Sequence, residues 1–313
     1  MTYGHRKHPR ETLTTTRPQD RIHLAPAPSG RAPSYTRRAF LTTAGLAAAG
    51  LATYSNTLAR HELVHSKITL PIRNLPDAFV GFRMVQISDL HLHGFTESWF
   101  LEQVIGQVNA MDPEVVLITG DFVSRGGSQR KITQAAGECA EILSQLKAPQ
   151  RFGILGNHDV AVGANRVIEP LEAHRTPVLV DSFFALERGS DLLWLAGADD
   201  ASIRLPDLDM SIPLYPKAPV ILLAHEPDFV DHVVKHPRFP LIDAMLSGHT
   251  HGGQIRLPGV GPLVLPPLGK HYVQGAFQFE HMKLYVNRGV GTVGVPFRFN
   301  CPAEITEITL QRA

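Results

Sequence analysis

The stretch EVVLITGD, residues 114–121, runs through consecutive apolar residues and ends in a glycine and a carboxylate. Apolar side chains on both faces predict a strand that is buried on both sides. RMVQISDLH, residues 83–91, and RFGILGNHD, residues 151–159, repeat this pattern before and after it along the chain. Because open α/β sheets place their sites at the carboxyl ends of strands, we predict a polar site where these strands end.

The segments around these strands complete an α/β pattern. Helical spacing of apolar residues predicts helices over residues 96–110, 131–146 and 164–174. Further strands are predicted over residues 67–72, 192–197, 220–224, 241–247, 253–257, 283–287 and 304–310. Residues 60–313 contain no linker or repeat that would divide them. We therefore predict a single layered α/β domain over residues 60–313, with largely buried sheets.

Five segments place Asp, Asn or His directly after an apolar strand, usually beside glycine. The candidate metal ligands in them are Asp89, His91, Asp121, Asn157, His225, His249 and His251. Oxygen and imidazole donors without thiolate suit Mn, Fe, Co or Zn. Seven donors are too many for one ion with an open position, so they predict two divalent ions that share a carboxylate and activate a bridging water. In extended backbone, Asp89 with His91, and His249 with His251, would each share a face.

The ordered set D-x-H, GD, GNHD, H and GHTH resembles the calcineurin-like metallophosphoesterase superfamily, and the resemblance covers nearly all of residues 60–313. It implies an α/β fold: a four-layer α/β/β/α sandwich with two mixed β-sheets and a dinuclear metal site at the carboxyl ends of the strands. It also implies a first metal held by Asp89, His91 and His251, a second held by Asn157, His225 and His249, and a bridge made by Asp121. His158 corresponds to the catalytic histidine that binds or protonates the departing phosphate oxygen.

Three further segments are similar to the YkuE and YaeI branch of bacterial phosphodiesterases: AHEPD at 224–228, GHTHGGQIRLP at 248–258 and NRGVG at 287–291. The branch includes cell-envelope enzymes, and YaeI-type members are associated with hydrolysis of UDP-2,3-diacylglucosamine. The resemblance therefore implies a phosphodiester or pyrophosphate substrate, with lipid-linked nucleotide diphosphates among the candidates. GDFVSRG at 120–126 departs from the GDxVDRG of protein Ser/Thr phosphatases at Ser124, which argues against that class.

Other side chains near these motifs are candidates for contact with the substrate. Guanidinium groups bind phosphate bidentately, which makes candidates of Arg125, Arg288 and Arg298. Arg288 comes first because it lies between Asn and Gly, although an ion pair that supports its loop explains it equally well. Asp159 is predicted to orient His158 or to contact the substrate. His93 is predicted to lie at the substrate rim rather than to bind metal.

Charge and cysteine content exclude several classes of protein. The net charge is +1, and Lys and Arg exceed the acidic residues within the first 40 residues. The remainder carries no strong positive field, so no nucleic-acid partner is expected. Cys139 and Cys301 lie too far apart in sequence for a disulfide framework or a metal knuckle. We predict two buried, unpaired thiols rather than a disulfide.

The N-terminal region is typical of a targeting signal. Residues 1–34 are rich in Thr, Pro, Arg and His, which predicts a disordered tail. SYTRRAFL at 34–41 precedes a weakly apolar run, so residues 35–59 resemble a twin-arginine signal. We predict export by the twin-arginine machinery to the periplasmic or cell-envelope side. The segment would be either cleaved or retained as a membrane anchor.

Residues 255–268 form an apolar run that is broken by Gly and Pro and directly follows two candidate ligands. The run is either part of the core or an exposed loop suited to acyl chains or peripheral membrane contact. Two functions compete with hydrolysis of a phosphodiester or pyrophosphate. One is a broad phosphomonoesterase or nucleotidase. The other is a non-catalytic binding protein, which should lack a ligand or the GNH histidine, and none of these is missing.

Overall fold

The structure, a computed structural model, describes residues 36–313. The disordered tail predicted over residues 1–34 lies outside the described residues. The chain divides into two compact units at Leu46, and the larger unit extends from Ala47 to Ala313. The described chain begins with helix α1 (Arg37–Thr57), which crosses this division. Within residues 36–313, no helix combines the length and the apolar character needed to cross a bilayer.

The larger unit alternates strands with helices and then becomes rich in strands. Its strands are β1 (Leu63–Ile72), β2 (Arg83–Ile87), β3 (Val115–Thr119), β4 (Gln150–Ile154), β5 (Ser182–Arg188), β6 (Asp191–Gly197), β7 (Val220–Leu223), β8 (Ile242–Ser247), β9 (Arg256–Leu257), β10 (Gly261–Pro262), β11 (Gly275–Phe279), β12 (Met282–Val286) and β13 (Ala303–Arg312). Its helices are α2 (Ser98–Met111), α3 (Gln129–Ser144), α4 (Asn157–Val162), α5 (Asn165–Ala173), α6 (Leu208–Ser211) and α7 (Val230–Val233).

Two large sheets, both mixed, make up the centre of the fold. The first has the order β1-β13-β2-β3-β4 and is parallel except between β13 and β2. The second has the order β11-β12-β8-β7-β6-β5 and is parallel from β12 to β6, with an antiparallel strand at each edge. In both sheets the central parallel strands therefore end on the same side as their neighbours.

Alternation along β3 shows how the layers form. Val116 and Ile118 pack outward against a cluster built from α2, α3 and α5, whereas Val115 and Leu117 pack into a second cluster that the two sheets share. A third cluster lies on the outer face of the second sheet and includes residues of α6 and α7. Both faces of each sheet are thus covered, and the predicted four-layer sandwich with two mixed sheets is confirmed.

The strand predictions failed mainly at the sheet edges, and the short helices α4, α6 and α7 were not predicted. β5 and β11 were not predicted, because each is an edge strand with several exposed side chains and so lacks a continuous apolar run. The strand predicted over residues 253–257 is wrong for most of its length. The chain instead forms a short 3-10 turn at His251–Gly253, and only the two residues of β9 pair, in a small hairpin with β10.

Both cysteines are buried and unpaired, as predicted. Cys139 belongs to the apolar cluster beneath α3, and this burial raises the pKa of its thiol. Cys301 Sγ lies 3.3 Å from the carbonyl oxygen of His251, to which its thiol donates. The second thiol therefore supports the loop that carries a predicted metal ligand.

Candidate metal centre

The seven predicted metal ligands meet in one site at the carboxyl ends of strands from both sheets. They follow β2, β3 and β4 in the first sheet and β7 and β8 in the second. Six of the side chains are buried and Asn157 is half-buried. The predicted position of the site is therefore the one that the fold forms, because parallel strands bring the loops after them to one edge.

Asp89, His91 and His251 form the first group of donors. His91 Nε2 lies 3.0 Å from His251 Nε2, which in turn lies 3.4 Å from an Asp89 oxygen. His251 Nδ1 donates to the carbonyl of Gly291 at 3.2 Å, so the lone pair of the neutral ring is on Nε2. Ser124 Oγ lies 3.0 Å from His91 Nδ1 and orients that ring. Two imidazole nitrogens and a carboxylate thus face the same point, which suits a cation.

His225, His249 and Asn157 form the second group. His225 Nδ1 donates to the carbonyl of Thr119 at 2.6 Å, and His249 Nε2 donates to the carbonyl of Pro267 at 2.7 Å. In the neutral rings, His225 Nε2 and His249 Nδ1 then carry the lone pairs. His249 Nδ1 lies 3.1 Å from Asn157 Oδ1, and His225 Nε2 is buried without a hydrogen-bond partner among the described residues. A buried polar atom without a partner is costly, and a divalent cation bound by these three atoms would satisfy His225 Nε2.

Asp121 lies between the two groups. Its Oδ1 accepts the backbone N–H of His158 at 2.9 Å, which fixes the carboxylate. Its Oδ2 lies 3.4 Å from His91 Nε2 and 3.3 Å from His225 Nε2, so one oxygen faces both groups. The described donors therefore comprise two groups that share a carboxylate, with imidazole and oxygen atoms and no thiolate. This set fits two divalent metal ions.

The charge states of the site also suit metal binding. Burial lowers the pKa of His91 to about 3, and it also lowers the pKa of His249 and His251. Burial opposes ionisation of Asp121, but the neighbouring His225 and His91 outweigh it and hold the Asp121 pKa well below its usual range. Burial likewise opposes protonation of His225, yet the Asp121 carboxylate raises the His225 pKa well above its usual range. A divalent ion would compete with that proton.

The backbone at the ligands is not extended, which corrects one expectation. Asp89, His91, Asp121, His249 and His251 have φ of 52°, 47°, 57°, 72° and 50°. Left-handed backbone costs non-glycine residues about 1–3 kcal/mol and is concentrated at functional sites. His249 and His251 consequently do not share a face, as extended backbone would require. Each belongs to a different group of donors.

Glycines allow the ligand loops to approach one another. Gly120 has φ of 90°, and a Cβ there would lie 2.6 Å from His225 Nδ1. A Cβ on Gly248 would lie 2.5 Å from an Asp89 oxygen. Any side chain at either position would therefore displace a ligand.

His158 lies beside the first group, with its ring centroid 4.7 Å from that of His91. Its Nδ1 accepts the backbone N–H of Arg125 at 2.9 Å, so the neutral ring carries its proton on Nε2. Burial lowers the His158 pKa, which favours this neutral form. Of the two roles that the resemblance implies, the geometry therefore favours hydrogen-bond donation from Nε2–H over complete transfer of a proton.

Asp159 supports the backbone of the site. It is fully buried, and burial together with the nearby charge of Asp121 raises its pKa to about 8. Its carboxylate accepts backbone N–H groups at 3.1–3.2 Å from Gly156, Phe122 and Val123. Within residues 36–313 its hydrogen-bond partners are these backbone groups and not His158, which corrects the predicted orienting role, while its contact with the substrate stays a prediction. Asp159 ties the loop after β3 to the start of α4, and the Arg125 backbone orients His158.

The three candidate arginines have different surroundings. Arg288 pairs with the buried Glu304 at 3.0 Å, as the loop-supporting alternative predicts. Arg298 is fully buried and donates to carbonyls of the loop that contains Arg288, so its prediction as a phosphate ligand is wrong. Arg125 is exposed and lines a cavity that also reaches His158. His93 lines the same cavity and pairs with Glu138 at 2.7 Å.

Two residues of the site were not predicted from the sequence motifs. In the sequence Ser124 stands out only as a departure from the motif of another family, although in the structure it orients His91. Glu226 is fully buried, and one of its oxygens lies within 4.8 Å of nitrogens of His225 and His249. Burial raises the Glu226 pKa well above its usual range. The feature of the sequence that could have indicated Glu226 is its position directly after His225.

Comparison with known proteins agrees with this geometry. Residues 82–253 match the family described as calcineurin-like phosphoesterase. The chain is 34% identical over 278 residues to the uncharacterized metallophosphoesterase YkuE of Bacillus subtilis, covering 87% of this chain and 93% of that protein. It is 30% identical to the UDP-2,3-diacylglucosamine pyrophosphatase LpxG of Chlamydia trachomatis (74% and 85% covered) and 28% identical to the phosphodiesterase YaeI of Escherichia coli (81% and 87% covered). The predicted family and its YkuE and YaeI branch are confirmed: this chain belongs to the calcineurin-like phosphoesterases, which use two divalent metals.

Proposed function

We propose that this chain hydrolyses a phosphodiester or pyrophosphate bond of a cell-envelope substrate. The observation that carries the proposal is the position of Asp121, whose Oδ2 lies 3.4 Å and 3.3 Å from nitrogens of the two donor groups. The metal ligands are proposed to be Asp89, His91 and His251 for one ion and Asn157, His225 and His249 for the other, with Asp121 shared. Mn, Fe and Zn all suit these donors.

The residues of the chain have separate tasks in this reaction. When bound, two divalent ions acidify a coordinated water and neutralise charge on the phosphoryl oxygens. Asp121 keeps the two donor groups at a fixed position relative to each other. Its own Oδ1 is held by a hydrogen bond from the backbone N–H of His158. The Nε2–H of His158 donates a hydrogen bond to the oxygen that departs from phosphorus. Asp159 and Ser124 keep these groups in place without contact with the reacting atoms.

The proposal also includes a more specific substrate, one that carries acyl chains. One relative is named for a diacylated sugar nucleotide. In this chain the segment of β9, β10 and the following loop exposes Val260, Leu263 and Val264, at 72%, 52% and 79%. The same loop reaches the site, because the carbonyl of Pro267 accepts from His249. An exposed apolar segment beside a phosphate site suits acyl chains or a membrane surface.

A substrate panel tests both parts of the proposal. Metal-loaded protein is expected to cleave a sugar nucleotide diphosphate, and to prefer its diacylated form about tenfold or more in kcat/KM. Burial of each methylene contributes about 0.8 kcal/mol, so two methylenes are enough for that ratio. The double change Leu263→Ser and Val264→Ser should lower the preference. The control is Val80→Ser, since Val80 is 50% exposed and precedes β2, at the end opposite the site.

The panel also separates the competing functions. Faster hydrolysis of p-nitrophenyl phosphate than of its bis ester or the diphosphate would make the chain a phosphomonoesterase or nucleotidase. Binding of metal without turnover on any phosphate ester would make it a binding protein. Equal rates on acylated and deacylated diphosphates would refute the proposed preference for acyl chains, whereas the proposed hydrolase activity would stand.

Export by the twin-arginine machinery is proposed from residues 35–59, with the protein then acting in the periplasm or cell envelope. Arg37 and Arg38 begin α1 and are exposed. Changing both to lysine preserves charge but removes the guanidinium geometry that the export receptor recognises. The double variant is expected to accumulate in the cytoplasm, as measured by cell fractionation, whereas the charge-matched control Arg60→Lys should be exported. Normal export of the double variant would refute this route.

A further inference from the structure

A cavity of about 690 Å³ opens beside His158 and is separate from the seven donors. Its walls come from the loop after β2, the loop between β3 and α3, the first turns of α3, His158 of α4 and residues 293–294 of the loop before β13. Arg125, Lys131, His93, Phe95 and Ile132 are among the lining residues. Since His158 belongs both to this wall and to the metal centre, whatever occupies the cavity adjoins the reacting phosphate.

The two permanently charged side chains that line the cavity are both cations, and the nearby Glu138 carboxylate pairs with His93. Arg125 and Lys131 line it with exposed side chains, and no carboxylate residue belongs to its lining. Neither cation forms an ion pair with any residue within 36–313. Between them, Gly126 and Gly127 leave open space in front of their backbone. Two unpaired cations around an open pocket favour an anionic group with several oxygens.

The position of His158 indicates which part of the substrate that anion is. Its Nε2–H faces the departing oxygen in the proposed reaction, so the leaving group lies on the His158 side. Its Nδ1 already accepts the Arg125 N–H, and the ring therefore shares a proton with the leaving oxygen instead of releasing one to it. A leaving group that departs without gaining a proton keeps its full negative charge, and nearby cations are needed to stabilise that charge. Arg125 and Lys131 supply them.

We propose that this cavity binds a phosphate monoester as the leaving group, with Arg125 and Lys131 as its ligands, so that the preferred substrate is a diphosphate rather than a simple phosphodiester. The inference rests on the proposed function. Water forms a bond to one phosphorus, and the bond from that phosphorus to the bridging oxygen breaks. The bridging oxygen keeps the electron pair and leaves with the second phosphate. Two phosphate monoesters form, and the protons of the water pass to solvent.

Two substrates with the same attacked phosphoryl group test the inference. UDP-glucose releases a sugar phosphate, whereas the p-nitrophenyl ester of UMP releases p-nitrophenol. Arg125→Ala and Lys131→Ala are each expected to lower kcat/KM on UDP-glucose about 10–100-fold, the usual effect of losing a charge-assisted contact. The loss on the p-nitrophenyl ester should be at least tenfold smaller. Arg130→Ala is the matched control, because Arg130 is exposed on the same turn of α3 but does not line the cavity.

Calorimetry provides a measurement that does not depend on turnover. The methylene analogue of UDP-glucose, which is not cleaved, is titrated into the metal-loaded protein and its variants. Arg125→Ala and Lys131→Ala are expected to bind the analogue more weakly than wild type, whereas Arg130→Ala should bind it with an affinity close to that of wild type. Equal losses on both substrates, or unaltered affinity for the analogue in Arg125→Ala and Lys131→Ala, would overturn the inference. Failure of the wild type to cleave either substrate would instead contradict the proposed function. The affinities measured by calorimetry would still show whether Arg125 and Lys131 bind the second phosphate in the cavity.

Discussion

Asp121→Asn is expected to lower turnover by at least about 10²–10³-fold and to reduce the content of both metals. The amide can still accept the His158 N–H through its own oxygen, as Asp121 Oδ1 does at 2.9 Å, so the loop should keep its shape. What disappears is the negative charge that faces both donor groups. Two cations a few ångströms apart repel each other, and a shared carboxylate is the group that offsets this repulsion.

The measurement combines elemental analysis of metal content with steady-state rates. The control is Asp112→Asn, because Asp112 is exposed and its left-handed backbone accommodates asparagine well. The control should match wild type in metals and rate. Retention of two metals and of a near-normal rate in Asp121→Asn would show that Asp121 is not the bridge, and the assignment of two ions would have to be abandoned.

His158→Ala is expected to lower the rate about 10²–10⁴-fold while both metals stay bound. His158 is not one of the seven proposed ligands, and its Nδ1 is already occupied by the Arg125 N–H. Loss of Nε2–H removes a donor from the departing oxygen. The deficit should therefore grow as the leaving group becomes poorer, since a poorer leaving group carries more localised charge in the transition state.

A series of aryl phosphate esters with graded leaving groups measures this dependence, with metal content determined on the same samples. His232→Ala is the control, because His232 is a half-buried histidine on α7 that packs against Phe229 and has no contact with the site. Loss of metal together with activity would make His158 a ligand. A constant deficit across the series would place its hydrogen bond on a different oxygen.

Local sequence was sufficient for the central strands of the fold. β3 is buried on both faces because it lies between a helical layer and the second sheet, and this is why EVVLITGD has no polar residue at alternate positions. β5 and β11 could not be recognised in the same way. They lie at sheet edges, where solvent replaces one set of neighbours and the apolar pattern is lost.

Order along the chain determined which residue types reach the site, because a short motif directly after a strand ends where that strand ends. It could not determine the roles of Arg298 and Asp159. Arg298 is occupied by carbonyls of the loop at 288–291, and Asp159 by backbone N–H groups of the loop after β3. These partners are distant in sequence or depend on loop conformation, so residue type alone does not reveal them.

The sequence by itself determined the seven candidate donors, their places after strands and the lack of thiolate among these seven. The resemblance in sequence already implied how the donors are grouped, and only the tertiary structure decided the backbone conformation that brings them together and which atom of each histidine faces inward. The groups depend on left-handed backbone at Asp89, His91, His249 and His251, which local propensity disfavours and the surrounding packing imposes. The inward atoms depend on hydrogen bonds from the opposite ring nitrogens to Thr119, Pro267 and Gly291. Such contacts form only when loops from two sheets fold against each other.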